Sequence, residues 1–462
     1  MTDDASITAS RTVDVDSDMD GEHESPRLIL AFEVRSPLSA AVRLMLGELD
    51  EVQIGRGARA WARSGRTLEL RISDSEISRQ HARLVRHSGD WELIDLDSRN
   101  GTLVNGAPVK RAVLVDGDVI EIGAAMLVYR DAGRGSPEVG NLDVAVATAL
   151  PPALRTASLE LEQRAGELIR LAPSSVPVLI RGETGTGKEL TARAIHERSG
   201  RQGAFVPVNC GALPRSLVES ELFGSKRGAF SGARDDRVGL VQRADRGTLF
   251  LDEIAELPAE SQVALLRVLQ EGEVRPVGAA DALRIDVRVI AATHQDLEAR
   301  IADGRFRQDL YARLAGYIVT MPPLRERRED IGTLIGAILG RIVADPASIT
   351  IQRPAARALL AYPYPLNIRE LEQTLRTAVA LADGREIRLE HLPEAIRNFR
   401  PTGPSLRPED RALRERLVEL LSEQRGNVTA VGRSLGKAPM QIRRWCRRYG
   451  IEIASFRDQS RN

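Results

Sequence analysis

Short runs in which apolar and polar residues alternate mark the first part of the chain. Residues 68–72, 91–94 and 119–122 are three such runs, and turns rich in Gly, Asn and Asp separate them. Alternation with a period of two is typical of a strand that buries one face. Residues from about 27 to 129 are therefore predicted to form an all-β sandwich.

Apolar runs of a different kind follow. Residues 176–180, 248–251 and 287–290 read as buried strands, and helical segments lie between them. This order favours a doubly wound parallel sheet in an α/β unit. A helical region from about 326 to 398 comes next, and the segment after residue 408 is helical and basic. We therefore predict a multidomain protein with all-β, α/β and all-α parts.

The length of 462 residues suits three or four domains, since a domain commonly takes about 100–200 residues. The formal net charge is zero, from 65 basic and 65 acidic residues. Residues 2–26 nevertheless carry eight acidic residues and one arginine, whereas residues 401–462 carry thirteen basic and seven acidic ones. We expect a disordered acidic head and a basic tail.

The cysteine spacing and the absence of long apolar stretches indicate the cellular compartment of the protein. Cys210 and Cys446 lack the paired spacing of a zinc site or a disulfide framework. No stretch approaches the roughly 20 apolar residues of a membrane span, and the acidic N-terminus is unlike a signal peptide. We expect a cytoplasmic protein with no membrane partner.

A phosphate-binding loop is predicted directly after residues 178–180. Glycines let backbone N–H groups turn towards a phosphate, the following helix N-terminus adds positive potential, and Lys188 would reach the β- and γ-oxygens. Glu189 stands where most such ATPases have a hydroxyl that binds the metal. The predicted nucleotide-binding residues are Gly182, Glu183, Thr184, Gly185, Thr186, Gly187, Lys188 and Glu189.

Two carboxylates, Asp252 and Glu253, follow the buried run at 248–251. In isolation such a pair could be a solvated acidic turn. Beside a phosphate loop, however, Asp252 would hold Mg²⁺ through water and Glu253 would polarise the attacking water. ATP and Mg²⁺ are the predicted cofactors, with Asp252 as the metal-binding residue.

Residues from about 154 to 398 resemble the AAA+ domain of the bacterial enhancer-binding proteins that activate sigma-54 RNA polymerase. The resemblance covers about half the chain, and it includes a glutamate after the phosphate-loop lysine, here Glu189. It implies a homo-oligomer, a hexamer when active, that uses ATP hydrolysis to remodel sigma-54 RNA polymerase.

The segment at 228–233 is similar to the loop with which that family contacts the sigma factor. A phenylalanine among small residues suits a mobile tip, although without the other motifs we would favour a Phe230 that packs into an apolar crease. Ser231 replaces the usual threonine, which keeps the hydroxyl and removes a methyl group. The implied sigma contacts are Gly228, Ala229, Phe230, Ser231, Gly232 and Ala233.

The resemblance also implies roles around the γ-phosphate. Arginine fingers from a neighbouring subunit stabilise the charge that develops during phosphoryl transfer. Tyr364 and Leu366 replace the family's Trp and Gly, and Leu does not tolerate the positive φ that Gly can adopt. The implied residues are the fingers Arg307 and Arg313, the sensor Thr293 followed by His294, Asn209 as the restraint on Glu253, and the lid sensor Arg369.

The β region resembles a forkhead-associated (FHA) domain, a family that binds phosphothreonine peptides. Motifs at 54–56, 78–81, 100–102 and 105–106 occur in the family's order, although Asn-Gly pairs alone usually mark tight turns. His81 is expected to brace a loop, and Arg59, Arg63 and Arg66 are expected to compete for phosphate. The predicted phosphopeptide residues are Arg56, Ser78, Arg79 and Asn100.

The basic tail is predicted to bind double-stranded enhancer DNA. A helix from residue 426 to 435, a turn with Gly436 and a second helix from 439 to 449 form a helix-turn-helix pattern that resembles a Fis-type tail. Ile442, Cys446 and Tyr449 would face a core. The predicted DNA contacts are Gln441, Arg443, Arg444 and Arg447.

These patterns favour a sigma-54-dependent activator controlled by phosphothreonine binding. The alternatives are an AAA+ protein remodeller and a phosphopeptide adaptor with an inactive motor. The basic tail and the loop at 228–233 argue against the first, and Lys188 with the acidic pair argues against the second. The predicted segments are an acidic head (1–26), an FHA domain (27–132), a linker (133–152), an AAA+ α/β subdomain (153–325), a helical lid (326–400), and a second linker with the helix-turn-helix (401–462).

Overall fold

The structure is a computed structural model, and it describes residues 26–87, 89–131, 140–147, 149–229, 235–383, 385–400, 408–449, 451 and 453–456. The predicted acidic head, apart from Pro26, lies outside these residues, and so does the predicted linker segment at 401–407. Within the described ranges, no helix combines the length and the apolar character that crossing a bilayer requires.

Two sheets form the N-terminal sandwich, which confirms the prediction from the alternating pattern. Apolar side chains from both sheets, among them Leu28, Leu84 and Trp91, are fully buried in one core between the sheets. The strands are β1 Arg27–Glu33, β2 Val42–Met45, β3 Glu51–Arg56, β4 Ala60–Ser64, β5 Thr67–Ile72, β6 Ala82–His87, β7 Asp90–Asp95, β8 Thr102–Val104, β9 Ala107–Val109, β10 Arg111–Val113, β11 Val119–Ile122, β12 Ala125–Arg130 and β13 Leu142–Asp143.

The sandwich sheets have the orders β13-β2-β1-β12-β11-β8-β9 and β10-β7-β6-β3-β5-β4. β13 lies within the segment predicted as a linker, and it extends the first sheet by pairing antiparallel with β2. The outer face of β1 and β12, with Ile29, Phe32 and Met126, is also buried and belongs to a different core. The sandwich therefore packs against another part of the chain.

A five-stranded parallel sheet of order β15-β18-β21-β14-β22 forms the centre of the second unit. Neighbouring side chains on one strand enter cores on opposite faces of the sheet, Leu249 and Leu251 on one side and Phe250 on the other. The elements are α1 Leu159–Leu171, β14 Val178–Arg181, α2 Lys188–Arg198, β15 Phe205–Asn209, α3 Val218–Phe223, β16 Gly224–Ser225, β17 Arg237–Val238, α4 Leu240–Arg243, β18 Thr248–Asp252, α5 Ala259–Glu271, β19 Glu273–Val274, β20 Leu283–Arg284, β21 Arg288–Thr293, α6 Leu297–Ala302, α7 Gln308–Leu314 and β22 Tyr317–Thr320.

A helical subdomain follows the parallel sheet. Its apolar residues share one core with the outer face of β1 and β12, and this core includes Ile335, Leu359 and Leu375. The predicted helical lid is thus present, and it is packed against the sandwich. Its elements are α8 Ile331–Ile342, β23 Thr350–Ile351, α9 Arg353–Ala361, α10 Asn367–Leu381, β24 Glu386–Ile387 and α11 Glu394–Arg397.

Three helices form the C-terminal part: α12 Pro408–Glu423, α13 Val428–Ser434 and α14 Pro439–Arg448. The side-chain oxygen of Asn427 caps α13 by accepting hydrogen bonds from the N–H groups of Thr429 and Ala430. Ile442, Cys446 and Tyr449 are buried, as their spacing predicted. A separate small core holds the three helices together.

Candidate functional site

The carboxyl ends of the parallel strands place the predicted catalytic residues at one edge of the sheet. β21 lies between β14 and β18. The last residue of β14, Arg181, pairs with Thr293, and Asn209 at the end of β15 pairs with Asp252. Ligands of open α/β sheets bind outside this edge. The strand order therefore brings the phosphate loop, the acidic pair and Thr293 together.

The loop from Gly182 to Gly187 has the backbone of a phosphate cradle. Gly185 and Gly187 have φ values of 78° and 102°, which a residue with a side chain rarely adopts. A Cβ atom on Gly185 would lie 2.3 Å from the carbonyl oxygen of Leu366. The Lys188 ammonium donates hydrogen bonds to the carbonyls of Gly182 (2.9 Å) and Glu183 (3.2 Å). The lysine is thus held at the mouth of the loop.

Burial shapes the ionisation of the charged groups beside this loop. It lowers the pKa of Lys188, an effect that the nearby carboxylates of Glu253 and Asp252 oppose. Burial likewise raises the pKa of Asp252, and the Lys188 charge opposes that shift. The two groups stabilise each other's charged forms. A lysine and a carboxylate in this position fit a nucleotide phosphate and the cation that accompanies it.

Glu253 adopts φ of 53°, and its carboxylate contacts Nδ1 of His294 at 2.6 Å. Asn209 was predicted to restrain Glu253. In the structure the Asn209 side-chain oxygen accepts hydrogen bonds from the N–H groups of Gly211 (3.0 Å) and Ala212 (3.1 Å), and the restraint on Glu253 stays a prediction. The partner of Glu253 is therefore the histidine after Thr293, because β21 ends beside β18.

The lid contacts the phosphate loop through residues that the sequence did not single out. Asn367, which is fully buried, accepts from the Leu324 N–H (2.7 Å) and donates to Glu183 Oε2 (3.2 Å). Arg325 makes two hydrogen bonds with the Glu183 carboxylate, of 2.9 and 2.7 Å. Both residues come directly after loops, where hydrophobic periodicity does not identify a functional position. They fix the lid relative to the phosphate loop.

Leu366 does not adopt a positive φ, as expected for a leucine in this position, and positive φ falls on other residues of the lid motif. Leu366, which replaces the family's glycine, has φ of −101°. Tyr364 and Asn367 have φ of 49° and 56°, and Asn tolerates this region better than most residues. The N–H of Ile368 donates to the Gly185 carbonyl (2.9 Å), so the first turn of α10 reaches the phosphate loop. Arg369, in that turn, is exposed.

The predicted arginine fingers lie on the surface around α7. Arg307 precedes the helix and forms hydrogen bonds of 3.0 and 2.6 Å with the Asp309 carboxylate. Arg313 is exposed on the helix itself. Glu189 is also exposed, and Arg193 one turn later contacts it at 3.4 Å. Side chains on such a surface are accessible to a neighbouring subunit.

The loop predicted to contact a sigma factor emerges from a short hairpin. β16 and β17 pair antiparallel, and Lys226 contacts the Asp236 carboxylate at 2.6 Å across the hairpin. Gly228 has φ of 78°. Gly228 and Ala229 are the described members of the predicted contact set. The other members, Phe230, Ser231, Gly232 and Ala233, lie outside the described residues.

An open depression of about 600 Å³ on the sandwich is lined by Arg56, Gly57, Arg71, Arg79 and Gln80. Two predicted phosphopeptide residues, Arg56 and Arg79, thus line the same cavity. Arg71 was not predicted, because it lies at an interior position of a strand. Its guanidinium donates a hydrogen bond to the Arg79 carbonyl (2.7 Å), which fixes it beside the other two arginines.

The loop with Ser78 is braced from inside the sandwich. Nδ1 of the fully buried His81 accepts from the Ser78 N–H (3.1 Å), and Nε2 faces the Gly101 carbonyl (3.2 Å). The Ser78 hydroxyl oxygen accepts from the Arg99 N–H (3.2 Å). Asn100 is exposed, and its amide donates to the Glu76 carbonyl (2.7 Å). His81 has the bracing position expected of it.

The arginines expected to compete for phosphate face carboxylates instead. Arg59 contacts Glu33 at 3.3 Å and Arg63 contacts Glu48 at 2.9 Å. Arg66 forms two hydrogen bonds with Asp50, of 2.5 and 2.7 Å. The long loop folds as β4 against β5, and none of the three arginines lines the depression.

Two helices with a glycine turn carry the predicted DNA-contacting residues. Gly436, between α13 and α14, has φ of 64°. On α14, Arg443 is exposed and Gln441 is half-buried. The side chains of Arg444 and Arg447 lie outside the described part of the chain. DNA binding by α14 therefore stays a prediction.

Three segments match known protein families. Residues 154–320 match the sigma-54 interaction domain, residues 52–123 match the FHA domain, and residues 325–408 match an AAA+ ATPase lid domain. Together they follow the order of the sandwich, the parallel sheet and the helical lid.

Individual relatives agree with these matches. The hydrogenase transcriptional regulatory protein HoxA of Cupriavidus necator is 46% identical over 300 residues, which are 61% of this chain and 62% of that protein. The response regulator protein PilR of Pseudomonas aeruginosa is 44% identical over 296 residues, or 61% of this chain and 66% of the relative. The chain thus spans less than two thirds of either relative.

The crystal structure of NtrX from Brucella abortus in complex with ADP has a similar fold, with a TM-score of 0.50 and 32% sequence identity. The similarity covers 63% of this chain and 69% of that one. NtrX has also been crystallised in complex with ATP.

Proposed function

We propose that this chain, which carries an FHA domain beside a sigma-54 interaction domain, is a sigma-54-dependent transcriptional activator that uses ATP hydrolysis to remodel sigma-54 RNA polymerase. One observation carries the proposal. The phosphate loop with Lys188, the acidic pair Asp252 and Glu253, and Thr293 converge at one edge of the parallel sheet. These are the parts that a nucleotide hydrolase needs.

The residues divide the chemistry between them. Backbone N–H groups of residues 182–187 and the Lys188 ammonium bind the phosphates, and Glu253 orients and polarises the attacking water. Asp252 would hold the Mg²⁺ that accompanies the nucleotide, and the cation would supply charge neutralisation during phosphoryl transfer. His294 positions the Glu253 carboxylate, and NtrX complexes with ADP and ATP in the same fold support nucleotide binding.

Hydrolysis is proposed to require a ring, a hexamer in the active state. Arg307 and Arg313 are exposed, so each can enter the nucleotide site of the next subunit and stabilise charge on the γ-phosphate. The loop at 228–233 is proposed to contact the sigma factor through Phe230. Its hairpin stem at β16 and β17 links it to the ATPase core.

The N-terminal domain is proposed to receive a regulatory signal, and the C-terminal domain is proposed to select the promoter. Arg56, Ser78, Arg79 and Asn100 bind a phosphothreonine peptide, with the depression beside Arg56 as the phosphate site. The basic tail binds enhancer DNA through Gln441, Arg443, Arg444 and Arg447. ATPase activity is thereby placed under the control of a kinase and confined to chosen promoters.

Open-complex formation by sigma-54 RNA polymerase on a supercoiled sigma-54 promoter tests the proposal. With ATP, the parent chain should open the promoter. Glu253→Gln should lower the ATPase rate by about 10²-fold or more and abolish opening. Phe230→Ala should keep ATPase activity yet fail to open promoters, whereas Ser231→Thr should behave as the parent. Promoter opening by Phe230→Ala at the parent rate would show the proposal to be wrong.

A further inference from the structure

The FHA domain and the ATPase lid share a single hydrophobic core. Phe32 and Met126 of the sandwich pack in this core with Ile335 of α8 and Leu375 of α10. Gly332 on α8 allows the closest approach, because a Cβ atom there would lie 2.0 Å from the Ala31 carbonyl oxygen. The helix therefore packs directly on the backbone of β1. Such contact differs from the small, polar interface expected of a loosely tethered domain.

Ion pairs with buried partners reinforce this contact. Arg130 of β12 contacts Glu329 at 2.5 Å, with side chains 9% and 2% exposed. Arg357 of α9 makes two hydrogen bonds, of 2.5 and 2.7 Å, with Glu121 of β11. Separation of the domains would leave the carboxylates of Glu329 and Glu121 without these partners. The FHA domain is consequently fixed to the lid.

Glu76 belongs both to the phosphopeptide surface and to this interface. Its carbonyl accepts the hydrogen bond from the Asn100 amide (2.7 Å), and it lies two residues before Ser78. Its carboxylate lies between two arginines: Oε1 accepts a hydrogen bond from Arg35 of the sandwich (2.5 Å), and Oε2 contacts Arg353, the first residue of α9, at 3.6 Å. Arg353 also donates to the Gly123 carbonyl (3.2 Å), so it is anchored in the sandwich. A shift of the Ser78 loop would therefore change the contact that Glu76 makes with the start of α9.

The lid transmits such a shift towards the nucleotide. The Tyr364 hydroxyl donates to the Leu359 carbonyl (2.8 Å), which ties the end of α9 to the motif before α10. α10 begins with Asn367, whose amide donates to the Thr184 carbonyl of the phosphate loop (3.0 Å). Packed side chains and hydrogen bonds thus run from the Ser78 loop to the phosphate loop.

We propose that Glu76 is a positioning residue that couples phosphopeptide occupancy to the ATPase through its contact with Arg353 at the start of α9. The coupling rests on the proposed function, because it needs a phosphothreonine peptide at the sandwich and ATP at the motor. A bound peptide contacts Asn100, and the loop that carries Asn100's partner Glu76 shifts. Because the lid and the FHA domain share one core, the lid moves with that domain.

The test measures two quantities on the full-length chain: the affinity for a degenerate phosphothreonine peptide mixture, and the ratio of ATPase rates with and without that mixture. The unphosphorylated threonine mixture is the blank. For the parent chain we expect the ratio to differ from one by at least about fivefold. In Glu76→Gln and Arg353→Gln the ratio of ATPase rates should lie within about twofold of one. The affinity of these variants for the peptide mixture should change by less than about threefold.

Matched control variants distinguish a loss of coupling from a general effect of removing a charged side chain. Glu48→Gln removes an exposed carboxylate that contacts Arg63 in the same domain, and Arg341→Gln removes an exposed lid arginine that contacts Glu372. Both should keep the parent's ratio. Glu76 and Arg353 are 30% and 44% exposed, so their variants should fold. In a double variant the losses of the ATPase response should not add, since both variants remove the contact between Glu76 and Arg353. Arg35→Gln removes only the other partner of Glu76 and should keep the parent's ratio.

The outcomes distinguish the two proposals. If Glu76→Gln keeps the parent's response, the coupling through Glu76 is wrong and the proposed function stands. If the parent chain binds the mixture without any change in ATPase rate, coupling through the lid is wrong. If the parent chain neither binds phosphothreonine nor hydrolyses ATP, the proposed function itself is wrong.

Discussion

Nδ1 of His294 lies 2.6 Å from a carboxylate oxygen of Glu253. The two residues follow neighbouring strands of the parallel sheet, β21 and β18, and they meet only because these strands are paired. Glu253 is the predicted base, so its orientation depends on a histidine from the next strand. The hydrogen-bonding partner fixes the orientation of the Glu253 carboxylate before the attacking water binds.

His294→Ala should lower the kcat for ATP hydrolysis, because the Glu253 carboxylate loses its positioning partner. We expect a loss of about 10-fold, smaller than the 10²–10⁴-fold effect typical of removing a general base, with KM changed by less than about twofold. Steady-state ATPase kinetics measure both. His87→Ala removes a similar histidine beside Glu92, far from the motor, and should leave kcat unchanged. Equal kcat values for His294→Ala and the parent would contradict this role.

Arg71→Ala should weaken phosphopeptide binding, since this side chain lines the depression with Arg56 and Arg79. A charge-assisted hydrogen bond is commonly worth about 1.5–3 kcal/mol, so a loss of about 10-fold or more in affinity is expected. Fluorescence anisotropy with a labelled phosphothreonine peptide measures it. Arg63→Ala, which removes an arginine facing Glu48, should change the affinity by less than about twofold. An Arg71 variant with the parent's affinity would exclude Arg71 from the site.

Acidification should destabilise the sandwich through His81. Burial lowers the pKa of His81 below its ordinary value of 6.5, and the hydrogen bond to the Gly101 carbonyl partly opposes this shift. The unfolded chain therefore takes up a proton first. The free energy of unfolding should fall as the pH drops below 6.5, by at most about 1.4 kcal/mol per pH unit, until His81 is protonated in the folded state.

Urea unfolding followed by fluorescence measures this pH dependence in a chain that keeps the buried Trp91 and carries Trp61→Phe and Trp445→Phe. His81→Asn should remove the His81 part of the slope. Burial raises the pKa of Asp330 to about 6, which gives a slope of opposite sign as this carboxyl takes up its proton. The difference between parent and variant isolates His81. Identical slopes for both chains would show that His81 does not cause the effect.

Arg130→Ala should destabilise the joined FHA domain and lid, because it leaves the buried Glu329 carboxylate without this arginine. Removing one partner of a buried ion pair costs about 3–5 kcal/mol. Thermal unfolding measures the change, with Arg341→Ala, at an exposed lid pair, expected to cost less than about 1 kcal/mol. The double variant Arg130→Met with Glu329→Leu should recover much of the loss. An Arg130→Ala chain as stable as the parent would mean that the domains are held without this pair.

Local sequence patterns predicted the three-part fold and the elements that carry the candidate site. Alternation gave the sandwich strands, the runs around residues 180, 250 and 290 gave the parallel strands, and the glycines before Lys188 marked the phosphate loop. Each of these signals lies within a few neighbouring residues, where side-chain periodicity and backbone φ limit the possible structures. The buried Ile442, Cys446 and Tyr449 follow from the same kind of local spacing.

The contacts that complete the site depend on tertiary structure. Glu253 contacts His294, and Asn367 and Arg325 form hydrogen bonds with Glu183. Arg71 lines the same depression as Arg56 and Arg79. Each contact joins elements that strand order or lid packing brings together. The hydrophobic periodicity of a sequence reveals local structure, and it does not reveal which distant residues are neighbours.

The amino-acid sequence by itself determined which segments fold as strands and helices and which loop has the backbone of a phosphate cradle, because those properties follow from neighbouring residues. Tertiary packing alone decided that the FHA domain is joined to the lid. A strand with two buried faces, such as β1 with Ile29 and Leu30 in different cores, shows only that a second partner exists. Which helix covers it depends on shape and charge complementarity between surfaces about 300 residues apart in the chain.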